Sequence, residues 1–314
     1  MTETPRIRRT MGTSEWGTLI VLSVVWGGSF FFIEVALTAF PPLTIVALRV
    51  AIGALCLHGT AIVLGWQLPR GHKVWIAFAA MGVLCNAIPF TLIVWGQTHI
   101  GGGLAAILNA TTPLFSVLTA HFLTRDEPIT ASRLAGVVLG LTGAIVLIGP
   151  RELLGLGSGL LAQLAILGAA QSYALAAVFG RRFARMGLSP NAAARGQLTM
   201  SALLLLPLAA WWDQPWTLAM PGLVPWSALI ALGSISTAFA FVLYFRVLAT
   251  SGATNITLVT FLVPVSAILL GSTILGEILL PRHFAGMILI GVALMVIDGR
   301  PVSAAARWIN GLRH

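Results

Sequence analysis

Residues 82–126 read GVLCNAIPFTLIVWGQTHIGGGLAAILNATTPLFSVLTAHFLTRD, and residues 233–277 read GSISTAFAFVLYFRVLATSGATNITLVTFLVPVSAILLGSTILGE. Set 151 residues apart, the two stretches bring Gly82 to Gly233, Ala87 to Ala238, Phe90 to Phe241, Gly101 to Gly252, Pro113 to Pro264 and Asp126 to Glu277. One gap later, Gly136 meets Gly286. Each stretch holds two apolar runs, and each run approaches the ~20 residues that cross a bilayer as a helix. Few residues are identical, but Gly and Pro recur at matching depths. With five spans in each copy, the second copy is inverted. Inverted repeats mark alternating-access carriers, whose substrate binds near the midplane between the halves.

The rest of the chain fits that frame. It has 314 residues, 58% hydrophobic and 9% charged. A soluble domain carries about 25% charge, so this one predicts an all-α polytopic membrane protein. Ten spans are expected at about 15–37, 42–65, 73–98, 101–123, 131–149, 156–180, 189–211, 225–249, 253–276 and 283–299. Between them lie turn formers and charges: Pro41-Pro42, Pro69-Arg70-Gly71, Gly101-Gly102-Gly103, Arg125 to Pro128, Gly149-Pro150, Arg185 to Pro190, Asp213 to Pro225, Ser251-Gly252 and Pro281-Arg282. The expected organisation is a tail over 1–14, a first five-helix repeat over 15–150, a second over 151–299 and a tail over 300–314. Arg6, Arg8 and Arg9 mimic the start of a signal peptide, but the apolar run from Trp16 is too long for one. It reads as a retained first helix. Cys56 and Cys85 fall inside apolar runs, against a disulfide framework.

The formal net charge is +9, which in a soluble protein would suggest nucleic acid. Here the charges occupy short loops and report topology instead. One face collects Arg6, Arg8, Arg9, Arg70, Lys73, Arg125, Arg133, Arg181, Arg182, Arg185, Arg300, Arg307 and Arg313; the other has Arg151 and Arg282. By the positive-inside rule both termini are cytoplasmic. Trp66, Trp75, Trp211, Trp212, Trp216 and Trp226 sit at span ends, where an interfacial belt belongs.

Depth along each span, at 1.5 Å per residue, nominates the candidate site. Trp26, Asn86, Phe90, Thr112, Gln171, Tyr173, Ser236 and Phe239 fall near mid-membrane. Asn86 and Gln171 carry amides that hydrocarbon cannot satisfy, so a cavity is their natural address. Ser236 and its neighbour Thr237 fit either a site or interhelical glue. The aromatics fit either a wall for a flat substrate or ordinary packing. Pro113 and Pro264 are candidate hinges, carbonyl-exposing kinks or static bends. Arg49 and Arg195 are the least expected charges, each about 10 Å deep and expected at pseudo-equivalent places of the two halves. Each is a gate or tethering contact, or a carboxylate binder, and Glu34 is the expected partner of Arg49. Gly136 and Gly140 suit packing of span five on span ten or on a second subunit, which leaves a monomer or a weak homodimer.

Trp26-Gly27-Gly28-Ser29-Phe30 in span one, Ala47-Leu48-Arg49 in span two, and spans four and nine running through Pro113 or Pro264 to Asp126-Glu127 or Glu277 resemble the EamA-type transporters of the drug/metabolite transporter superfamily. Spans five and ten, each with a Gly after a basic residue, add to the resemblance. Within that family the chain is similar to the YddG-like exporters of aromatic and other amino acids. The resemblance implies ten helices in two inverted repeats, a bacterial inner-membrane location and export of small metabolites. Glu34 departs from it, since many members carry Lys after the first-span motif.

No Asp or Glu lies at the middle of any span, which weakens proton antiport and favours facilitated flux. A proton-coupled efflux pump is the alternative, with His99 and His121 as the remaining relay candidates. No HExxH, G-x-S-x-G or G-x-x-x-x-G-K-[ST] motif occurs, against an intramembrane lipid-modifying enzyme or a self-contained ATP-driven pump. The expectation is a non-enzymatic exporter without cofactor or metal, whose partners are a small-molecule substrate and the lipid bilayer.

Overall fold

The computed structural model describes residues 11–124, 129–148, 159–275 and 280–298. The loop markers Arg125 to Pro128, the Gly149–Arg151 boundary, Glu277 and most of both expected tails lie outside them. Every regular element among the described residues is helical. The helices are α1 (Thr13–Leu37), α2 (Pro42–Leu64), α3 (His72–Gly82), α4 (Ile88–Gln97), α5 (Gly102–Asn109), α6 (Thr112–Leu123) and α7 (Ala131–Ile148). They continue as α8 (Leu160–Arg185), α9 (Pro190–Asp213), α10 (Leu223–Gly233), α11 (Ala240–Thr257), α12 (Val259–Leu275) and α13 (Pro281–Asp298). Among the described residues 7 helical stretches are long and apolar enough to cross a membrane, one of them Leu223–Thr257 taken whole. Gly252, at φ 84° and ψ −179°, breaks that stretch, as the Ser251-Gly252 signal predicts.

The helix ends follow local chemistry. Pro42 opens α2, where its missing N–H costs nothing, and the Asp213 carboxylate accepts from Thr44 N–H at 2.6 Å and Thr44 Oγ1–H at 2.9 Å. Span six runs to Arg185 rather than ending near 180. Basic side chains suit a helix C-terminus, and Gly187, at φ 69°, stops the chain there instead. Trp211, Trp212 and Trp216 are exposed at their span ends, in keeping with a belt.

Two spans contain π-helical turns. Val83–Ala87 joins α3 to α4, and Ser234–Phe239 joins α10 to α11. In the first, Pro89 has no N–H for the Cys85 carbonyl, so the regular α ladder cannot continue through it. In the second, Thr237 Oγ1–H donates at 2.8 Å to the Leu232 carbonyl five residues back. Both π turns begin directly after a glycine that presses on a neighbour. A Cβ on Gly82 would stand 3.0 Å from the Gln197 carbonyl, and one on Gly233 3.0 Å from the Arg49 carbonyl.

Span four is also discontinuous. It breaks at Ala110–Thr111, and Pro113 lies in the first turn of α6, so it starts a helix rather than kinking one. Pro264 differs, lying inside α12 and removing the usual donor from the Thr260 carbonyl. The two prolines that the sequence pairs therefore do different structural work. Elsewhere α7 packs along α13, with Gly136 against Ile297 and Gly143 against Ile290, whereas Gly140 meets Phe261 of α12.

Candidate functional site

A cavity of about 80 Å³ lies where α1, α2, α4, α8, α11 and the breaks of spans four and nine converge. Its walls are mostly aromatic. Phe241 stands 6.4 Å from Trp26, 6.3 Å from Phe90 and 5.9 Å from Tyr244, and Tyr173 lies 6.5 Å from Phe90, largely edge to face. Such pairs hold each other for about 0.5–1.5 kcal/mol beyond the area they bury. Thr112 and Asn109 flank the first break, and Thr257 and Thr260 flank the second. At each break a helix C-terminus meets a helix N-terminus, so their end charges largely offset each other.

The potential is set by Arg49, the one charged side chain on the wall among the described residues. It is buried, its Nε–H donates to Thr237 Oγ1 at 2.7 Å, and its guanidinium lies 3.7 Å from the Phe90 ring centre. A mid-membrane arginine costs about 2.5–3.5 kcal/mol to insert. A desolvated cation–π contact returns about 2 and a charged hydrogen bond about 1.5–3, so the site holds its cation without a carboxylate. The π turn makes this arrangement. Thr237 spends its proton on Leu232 and accepts from Arg49, while the Ser236 carbonyl accepts from Trp26 Nε1–H at 3.1 Å. Two further wall groups, Asn109 Oδ1 and Ser29 Oγ, are buried without a hydrogen-bond partner among the described residues. One cation and a few neutral polar side chains thus line a small space whose walls are mostly aromatic and aliphatic.

Of the residues nominated from depth, Trp26, Phe90, Thr112 and Tyr173 come together on this wall. Asn86 does not. It is buried in α3–α4 packing on α9, where its Nδ2–H donates to Ser201 Oγ at 2.8 Å. Gln171 turns to Thr119 Oγ1 at 3.2 Å, and Ser236 Oγ–H donates to the Val25 carbonyl at 3.0 Å. Phe239 is 49% exposed on the outer surface. Glu34 is also exposed, and Arg49 faces span eight rather than Glu34. Arg195 is not the counterpart of Arg49. The matched glycine contacts place Gln197 there, and Arg195 Nη1–H instead donates to the Trp66 carbonyl at 3.0 Å, tying α9 to the end of α2. Asn109 and Ser29 escaped the sequence reading because nothing in composition separates them from interhelical glue.

A model of the EamA-like transporter family matches residues 15–149 and again 160–297. The chain belongs to that family. This EamA-like chain is 27% identical over 284 residues to the uncharacterized transporter YoaV of Bacillus subtilis, covering 87% of this chain and 92% of YoaV. It is 27% identical over 296 residues to the inner membrane transporter YedA of Escherichia coli K12, 90% of each chain. It is 26% identical over 278 residues to protein PecM of Dickeya dadantii, 87% of this chain and 89% of PecM. One crystal structure, 20% identical, shares the fold at a TM-score of 0.73 over 91% of this chain and 96% of that one. The EamA-like chain is accordingly a multi-pass membrane transporter.

Proposed function

We propose that this transporter exports amino acids, aromatic ones included, or related zwitterionic metabolites across the bacterial inner membrane by facilitated alternating access. The observation that carries the reading is the buried Arg49 on the wall of an aromatic-lined space that Asn109 and Ser29, each with an unpartnered buried oxygen, also line. A carboxylate pairs with the guanidinium, an ammonium pairs with the two unpartnered oxygens, and the rings accept the apolar side chain. At the ~30 Å³ that a water takes in the liquid, 80 Å³ holds about three waters, so the space admits the polar end of an amino acid before the wall moves. Larger side chains enter as the wall opens.

Ten helices in two inverted five-helix repeats are part of this proposal. Its supports are the twofold family match, the π turns at Val83–Ala87 and Ser234–Phe239, and the paired Gly82 and Gly233 approaches. Cytoplasmic termini follow from the arginine bias. The cavity wall has no carboxylate among the described residues, in keeping with flux down the substrate gradient rather than proton exchange.

Uptake of labelled amino acids into proteoliposomes, with and without an imposed proton gradient, tests the reading. Saturable flux in both conditions supports it. Flux that appears only with the gradient overturns the facilitative mechanism and returns attention to His99 and His121. No amino-acid flux removes the substrate assignment.

A further inference from the structure

A second hollow, of about 710 Å³, lies between α6, α8 and the first π turn and shares no lining residue with the cavity. Its floor is Leu84, and Leu175, Val178 and Phe179 of α8 form its long wall. Leu123, 61% exposed, forms an open rim beside Phe122, 78% exposed, so the hollow faces outward between the spans. Arg182 and Arg185 stand at one end. The Arg182 guanidinium lies 3.6 Å from the Phe179 ring centre, which holds it at the mouth of the groove.

Three features define the occupant. From Leu175 to Arg185 the groove runs about 15 Å at helical rise, half the ~30 Å hydrocarbon core. That is the depth of one leaflet. Its character changes along this length, from apolar at the midplane to doubly cationic at the end, with no acidic residue on its wall among the described residues. Arginine forks match phosphate oxygens, and basic clefts between spans at the cytoplasmic surface suit anionic headgroups. We infer that this groove binds an anionic phospholipid of the arginine-rich leaflet, its acyl chain along Leu175, Val178 and Phe179 and its phosphate on Arg182 and Arg185.

Native mass spectrometry of the delipidated full chain tests this, using phosphatidylglycerol and phosphatidylcholine with the same acyl chains. The expected result is at least fivefold greater retention of phosphatidylglycerol. The double variant Arg182→Gln/Arg185→Gln abolishes the preference, and Arg182→Lys/Arg185→Lys keeps most of it. Arg70→Gln/Arg133→Gln, which removes equal charge from elsewhere, leaves it intact. Val178→Trp fills the groove and lowers retention with both arginines in place. Equal retention of the two lipids overturns the inference. So does an equal loss in the Arg70/Arg133 variant, which marks diffuse charge, or an unchanged Val178→Trp, which leaves no role for the groove.

Discussion

Arg49 is held by a ring, a hydroxyl and a carbonyl rather than by a carboxylate, which leaves its charge available to a ligand. Arg49→Gln should raise KM for a zwitterionic substrate at least tenfold in proteoliposomes, and Glu34→Ala should not rescue it. Arg49→Lys should recover only part of the loss, because a compact ammonium cannot span Thr237 and a substrate carboxylate as a planar fork does. Far from the cavity, Asp213 caps α2 through Thr44. Asp213→Ala should cost about 1 kcal/mol, seen as a lower Tm in detergent without a change in KM. At this scale the sequence was half legible. Arg49 and Trp26 stood out because charge and indole are rare at their depth. Asn109 and Ser29 did not, because their importance lies in having no partner, which only packing reveals.

Span four is two helices and span six runs to Arg185, but elsewhere the apolar runs were legible to within a few residues, since a bilayer demands runs of fixed length and turn formers between them. The π turns were not. Each inserts one residue and rotates the remainder of its helix by about 100°. Beyond the second turn, Phe241 faces the cavity and Phe239, two residues earlier and so about 200° away, faces outward. The glycines ahead of these turns allow backbone approach that no side chain fits. Gly233→Val should therefore destabilise by about 1–3 kcal/mol or displace span eight against span two, lowering both Tm and transport. Gly222→Ala, with open space around its Cβ, is the matched control and should do neither. Thr237→Val should strand the Arg49 Nε–H and lower transport while Asp213→Ala leaves it intact, which separates a site effect from general loosening.

For the molecule as a whole, alternating access predicts motion at a buried reporter. Cys85 is 1% exposed on the cavity wall, and Cys56 is the only other cysteine in the chain. In a Cys56→Ser background, a small membrane-permeant maleimide should modify Cys85 slowly, and saturating substrate should change that rate at least threefold. A rate indifferent to every transported solute would argue against a cavity that opens and closes around it. The proposed duplication rests in the sequence on several Gly, Phe and Pro pairs, Gly82 and Gly233 among them, but depth alone set Arg195 as the equivalent of Arg49. Both are arginines at similar depth, and only the backbone contacts single out Gln197.

The seam between α7 and α13 bears on how the chain is made. Gly136 and Gly143 are covered by Ile297 and Ile290 of the last described helix, about 150 residues later in synthesis. At ~5–20 residues per second that partner arrives about 8–30 s after α7 emerges from the ribosome. Until then a bare glycine stripe faces lipid or the insertion machinery, and a chain stopped before Pro281 never covers it. The seam is thus completed only when α13 inserts, and a chain that lacks it keeps the glycine stripe bare.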